Sequence, residues 1–478
     1  DERAERSGNS VNGLPYEYQE FYNVGTAENI VGVSSNFSRW RLLSYMGRVN
    51  YNFAGKYYLT LTGRWDGSSR LAPGRKFSFF PSASLAYNLS EEPFMRGITF
   101  LDELKFRVGY GQTGNTSIDP YQTQGSLSRT IYSWDEVPAF GFQPGDIRNP
   151  NLFWERTAAA NVGLDFSLFK GRLSGSLNLY RSNTYDLLLQ DQLPTASGFS
   201  SYLRNVGSTR NQGVELNLST VNVRSAGGFG WTTDWVFSRN REAIVELYKG
   251  KVDDLGNRWF IGQPLGVYYD YQFERIWQNT PEDIELMKAF NDKGRNGFRP
   301  GDIKVVDVNG DGIINTADQT IVGNDRPRYI ASLTNTFTYK GLELSVFAYT
   351  RQGLMYGTDL YNLSAFLSGR VNHVRVDYWT PTNTSGTFPR PSDRERPLYS
   401  SSLRYVDGSF VRIRTATLAY TLPSAITNRL KMNRLRVYTT VDNPFIWTRN
   451  RDILDPEGAG AAETPNRIAF IFGLNLGL

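Results

Sequence analysis

A chain of 478 residues with 45 Gly, 28 Tyr, 29 Phe and 14% aromatic residues reads as many short strands joined by turns, not as a string of soluble domains. The absence of Cys and the single His exclude disulfides, thiolate nucleophiles, Cys/His zinc sites and any mechanism that needs two histidines. The net charge of +5 is carried by scattered Lys and Arg, which is not the clustered footprint of a nucleic-acid binder.

Mean hydropathy is −0.43. No uncharged apolar run approaches the ~18–20 residues of a membrane helix. Residues 78–90 are among the longest uncharged stretches, and they alternate. Helical membrane proteins are therefore excluded, whereas a β-barrel is not, because its strands show only every second side chain to lipid. The opening DERAERSGNSVNG has neither the charge profile nor the cleavage site of a signal peptide. Residues 1–41 read as the middle of a polar external loop, not as a start that opens with a strand.

Period-2 alternation then runs down the chain. Tyr45, Val49, Tyr51 and Phe53 form a first stripe, and Ala54-Gly55-Lys56 turns into Tyr57, Leu59, Leu61, Gly63 and Trp65. Tyr58, Thr60, Thr62 and Arg64 take the opposite face. Further stripes begin at Phe77, Leu104, Val162, Leu173, Val214, Trp231, Leu333, Leu342, Leu418, Leu435 and Ile468. These are roughly fourteen segments, far beyond the ~4–6 strands of a usual sheet. Tyr57 and Trp65 would stand about 27 Å apart along their strand. A tilt of ~40° makes that roughly 21 Å, close to the apolar band between two aromatic girdles. The second face, rich in Ser, Thr, Asn and Arg, is solvent-exposed in a sandwich and a wet lumen in a large barrel. Long polar connections at 112–151, 279–325 and 351–403 alternate with tight turns.

Gly109, Gly111 and Gly114 match a dinucleotide fingerprint, but a proline at 120 and the lack of helical periodicity follow it. They read as glycines at a strand end that leads into an external loop. Tyr132, Trp134, Phe140 and Phe142 fall in that loop, where they either stack on a substrate or pack the loop against its neighbours. DVNGDGIINTAD at 307–318 matches a calcium loop. Asp307, Asn309 and Asp311 would supply side-chain oxygens, Ile313 its carbonyl, Asn315 a direct or water-mediated contact, and Asp318 the closing acid. Aspartate in place of the usual glutamate shortens that last arm and weakens the site. With no helix pair in view, Ca2+ here would stiffen a loop; an Asx-rich turn is the alternative. His373 reads as an exposed loop residue. No nucleophile elbow, zinc-protease motif or P-loop occurs, and no pair of carboxylates stands out, so no catalytic residue is assigned.

Several segments together resemble the SusC-like TonB-dependent outer-membrane transporters. They are YMGRVNY at 45–51, RWDGSSR at 64–70, FFPSASLAYNLSEEPFM at 79–95, LKFRVGYGQTGN at 104–115, NPNLFWERTAAANVGLDFSLF at 149–169, DVNGDGIINTADQTIVGNDRP at 307–327 and GSFVRIRTATLAYTLP at 408–423. The resemblance covers nearly the whole chain. It implies an all-β, antiparallel transmembrane β-barrel in a Gram-negative outer membrane, of about twenty-two strands around a plug. Residues 1–478 would be the C-terminal portion of that barrel, with the three long connections outside the cell. The family imports oligosaccharides or peptides, energised by TonB, under a SusD-like surface lipoprotein. The plug and the TonB-binding segment have no counterpart here, and some eight strands, roughly the shortfall from a barrel of that size, would precede Asp1. A passive porin and a secreted β-rich glycan-binding protein, adhesin or glycosidase are the competing readings.

Overall fold

The computed structural model describes residues 2–12, 29–294, 296–359, 361, 367, 375–392, 395–450, 453, 455–457 and 466–477. His373 lies outside them. One thirteen-stranded antiparallel sheet dominates the described residues, and each strand in it pairs with the sheet strand that follows it in the chain. Its strands are β1 (Leu42–Phe53), β2 (Tyr57–Ser68), β3 (Phe77–Asn88) and β4 (Leu101–Asn115). Then come β5 (Glu155–Leu168), β6 (Leu173–Tyr185), β7 (Ser208–Arg224) and β8 (Phe229–Glu246). β9 (Tyr329–Tyr339), β10 (Leu342–Gln352), β11 (Phe410–Thr421), β12 (Arg434–Thr448) and β13 (Ala469–Gly477) complete it. Every alternating run named from the sequence is one of these strands, thirteen in this sheet among the described residues.

Turn chemistry sets the register. Lys340 and Gly341 both have positive φ, 45° and 88°, the two-residue geometry whose twist matches the strands it joins. A Cβ on Gly341 would lie 2.7 Å from the Thr421 carbonyl. With the turns fixed, apolar residues line up across strands. Leu59 faces Leu85, Leu85 faces Val108, Val108 faces Val162, Val162 faces Leu179 and Leu179 faces Val214. The ridge continues through Trp235–Leu333, Leu344–Leu418 and Val437–Leu474. Most of these side chains stay exposed, and Leu61 and Phe106 lie on the same face. Paired rings mark its two margins, Tyr57 stacked on Tyr87 at 4.8 Å and Trp65 edge-on to Phe77 at 5.8 Å.

The other face is polar and cross-linked. Arg107 donates two hydrogen bonds to Asp165, both 2.7 Å, and one to Asn178 at 3.0 Å. Arg436 pairs with Glu343 at 2.7 Å, and Lys105 sits over the Tyr58 ring. Leu59, Leu61, Phe106, Phe166 and Leu177 therefore stand opposite Thr60, Thr62, Lys105, Asp165 and Asn178, as alternation requires.

The strands meet short turns at one end, such as 54–56, 169–172 and 340–341, and long connections at the other, at 116–154, 186–207, 247–328, 353–409 and 449–468. Two expectations are corrected there. Residues 1–41 were expected not to open with a strand, yet among the described residues strand Glu2–Asn12 pairs antiparallel with strand Asn29–Trp40. Nor is 279–325 merely polar. It contains the helix α1 (Pro281–Gly294), and the largest buried apolar cluster among the described residues lies in these connections rather than under the sheet. Helical spacing in 281–294 is obscured by its high charge; its apolar side, with Met287, is buried in a cluster drawn from its own connection and from Trp379 of another.

Candidate functional site

The long-connection end gathers the candidate chemistry. Ile276, Trp277, Met287, Phe298, Ile303, Val305, Ile314 and Trp379 form one core, so connections 247–328 and 353–409 share a single body. Polar ties reinforce it. Trp379 donates to Gln278 at 3.0 Å, Arg390 to Asp302 at 2.7 Å, and Tyr405 to the buried Asp270 at 2.8 Å. Burial raises the Tyr399 hydroxyl to about 12, so it remains a protonated donor beside the loop that follows.

The 307–318 loop is pinned to this core by Ile314 and by Asp318, which is 0% exposed. Asp307 accepts from the N–H groups of Gly310 and Gly312, both at 2.8 Å, and Asp311 from that of Ile313 at 2.7 Å. Asn309 accepts from Asp311 N–H at 3.0 Å and Asn315 from Ala317 N–H at 2.8 Å. Asp318 closes the loop by accepting from Val308 and Asn315 N–H at 3.0 and 2.8 Å. The Ile313 carbonyl takes a long contact from the Asn315 amide at 3.4 Å. All six residues thus belong to one turn held by Asx bonds. Every donor available to a cation is an oxygen, the hard chemistry calcium takes, and each carboxylate keeps lone pairs beyond the N–H groups it accepts. Among the described residues no three His, Cys, Asp or Glu side chains already converge as a metal cluster.

The four loop aromatics do not form one cluster. Strands Leu127–Trp134 and Val137–Pro144 make a separate hairpin in which Tyr132 faces Ala139, Trp134 faces Val137, Ile131 faces Phe140 and Arg129 faces Phe142. Tyr132 and Trp134 therefore share one side, and Phe140 and Phe142 the other. All four rings are exposed. Arg129 lies 3.9 Å over the Phe140 ring, so a cation already covers part of that side, whereas the Tyr132 and Trp134 rings lie side by side at 6.4 Å.

Gly109, Gly111 and Gly114 lie within β4, and only a three-residue 3-10 turn, Gln122–Gln124, stands between it and the next strand. Gly114 makes room for a small core of Leu71, Phe80, Ile118, Leu152 and Trp154, since a Cβ there would sit 2.2 Å from the Phe80 ring. Sequence reading passed over a further group, Tyr349, Arg351, Arg412 and Arg414 on the polar face near the same end. Its signal was available: in 410–421 the apolar positions shift from odd (Val411, Ile413) to even (Ala416, Leu418, Tyr420), as a bulge demands.

A meander of this length, apolar and ring-bordered on one face and polar on the other, is the wall of an outer-membrane β-barrel. Residues 4–443 match the family described as TonB dependent receptor-like, beta-barrel, and the chain belongs to that family, whose members reside in the outer membrane of Gram-negative bacteria. It is similar to TonB-dependent receptor P26 of Formosa agariphila, 35% identical over 466 residues that cover 94% of this chain and 46% of the relative. SusC of Bacteroides thetaiotaomicron is 29% identical over 463 residues, covering 92% and 44%. Among solved structures, the RagAB peptide transporter superposes with a TM-score of 0.82 at 23% identity, over 99% of this chain and 52% of that one, a likeness of fold. The chain spans about half the length of the curated relatives it matches.

Proposed function

We propose that this chain is barrel wall and external loop body of an active importer that carries oligosaccharides or oligopeptides across the outer membrane. The carrying observation is the polar inner face beneath folded connections gathered at one end, in a chain of the TonB-dependent receptor family. Short turns face the periplasm in such barrels and long loops face outward, so the connections around 112–151, 279–325 and 351–403 lie outside the cell. There they meet a SusD-like surface lipoprotein, and energy comes from TonB through parts of the protein beyond this chain. Similarity to SusC and to a structure titled a peptide transporter supports this reading. The role is binding and transport, not catalysis. Uptake of labelled oligomers by cells making the full-length protein tests it: uptake should stop when the proton gradient is dissipated. Uptake that continues unchanged would make the protein a passive porin.

We also propose that the 307–318 loop takes a Ca2+ ion that stiffens the loop body. Asp307, Asn309, Asp311, Asn315 and Asp318 would hold it with the Ile313 carbonyl. Calorimetric titration of the full-length protein with calcium should release heat that Asp307→Asn reduces; no heat in the unaltered protein removes the site.

A further inference from the structure

Against β10, Ala348 pairs with Ile413 and Phe347 with Thr415, which leaves Arg414 as the extra residue of a bulge; against β12 the same step, from Ile413–Phe445 to Thr415–Asp442, sets Arg414 opposite Asn443 and Pro444. A bulge re-aims side chains, and here both Arg412 and Arg414 line one pocket of about 540 Å³ with Tyr349, Arg351, Asp455 and Glu457. Arg412 is 1% exposed. It pairs with Asp455 at 2.5 Å and Glu457 at 3.1 Å, while Glu457 also takes the Tyr349 hydroxyl and lies 3.4 Å from Arg351.

Among the described residues that line the pocket, three arginines stand against two carboxylates. Among the described residues Arg414 meets only the Asn443 amide oxygen, at 2.7 Å, and the buried Nε atoms of Arg351 and Arg412 have no partner. Planar guanidinium groups around a pocket on the polar wall suit carboxylates, which they bind in forked pairs. We propose that Tyr349, Arg351, Arg412 and Arg414 form a carboxylate-binding subsite on the inner wall, filled in this structure by the chain's own Asp455 and Glu457. A substrate carboxylate, from an acidic peptide or a uronic-acid oligosaccharide, competes with those two side chains for it. This rests on the importer reading and narrows its substrate class to anionic oligomers.

The test uses the full-length protein in detergent, with triglutamate and trigalacturonate as probes and triglutamine and methyl-esterified trigalacturonate as neutral controls. The double variant Asp455→Asn/Glu457→Gln removes the two charges that occupy the site. It should bind at least one acidic probe about ten-fold more tightly than the unaltered protein, the scale of a charged hydrogen bond gained, with no gain for the controls. Whichever acidic probe gains identifies peptide or sugar as the source. Adding Arg414→Gln should cancel the gain. Removing both acids leaves Arg412 buried without a counter-charge, so heat-modifiable gel migration must show a folded barrel. If it does not, Arg414→Gln alone decides, because Arg414 is exposed and should weaken acidic-probe binding without disturbing the fold. Equal gains for acidic and neutral probes, no gain in a folded double variant, or no effect of Arg414→Gln would make the cluster a structural tie. Energy-dependent uptake of neutral oligomers, indifferent to all these variants, would overturn this subsite while leaving the importer reading intact.

Discussion

At the scale of single residues, facing decides cost. Leu61 lies opposite Val49 and Ala83 on the apolar face of the sheet. Leu61→Arg should destabilise the barrel by ~2–4 kcal/mol if it sits near mid-membrane, whereas a charge at Thr62, on the polar face, should cost far less. Denaturant titration of both variants in lipid checks the difference, and equal costs would contradict the assigned faces. Asp283 illustrates the loop body. Two hydrogen bonds from Arg275, 2.6 and 2.5 Å, hold its carboxyl below the ordinary 3.8. A depressed carboxylate stabilises the fold above its unfolded value, and that contribution is lost as pH falls through the folded one. The loop body should therefore loosen only below the ordinary aspartate range, and Asp283→Asn should be less stable at neutral pH and lose that acid step. Hydrogen exchange across α1 as a function of pH measures both.

Elements show where local pattern was enough and where it was not. The 127–144 hairpin was legible as an aromatic loop, but its two-faced division was not, because facing depends on which residues pair. A flat ligand stacks on one side only, so Tyr132→Ala/Trp134→Ala should weaken substrate binding. Each lost ring contact is worth about 0.5–1.5 kcal/mol, and Phe140→Ala/Phe142→Ala should have little effect. Calorimetry with a transported oligomer separates the pairs, and equal losses would exclude a single stacking side. The calcium-like loop was legible as a turn from its Asx-Gly spacing. Its anchoring was not, because Asp318 is buried by contacts that depend on the folded connections around it.

For the whole molecule, sheet edges carry the consequence. Among the described residues β1 and β13 each have one neighbour, so each leaves a row of backbone groups without a strand partner. Unpaired backbone in lipid costs several kcal/mol per group. We expect those edges to be closed by strands from the rest of a longer protein, in keeping with a chain that spans about half of its relatives. The heat-modifiable barrel isolated from outer membranes should then have an intact mass well above 54.1 kDa. A closed, stable barrel of that mass would refute the expectation.

The sequence by itself determined the strands, their facing, the tight turns and the family, because side-chain alternation and turn propensity act between near neighbours along one chain. Only the tertiary structure decided that the long connections pack into an apolar body, that the loop aromatics part onto two sides, and that Arg351, Arg412 and Arg414 converge with Asp455 and Glu457. Those outcomes depend on contacts between residues far apart in the chain and on a single bulged residue whose effect appears only once three strands are in register.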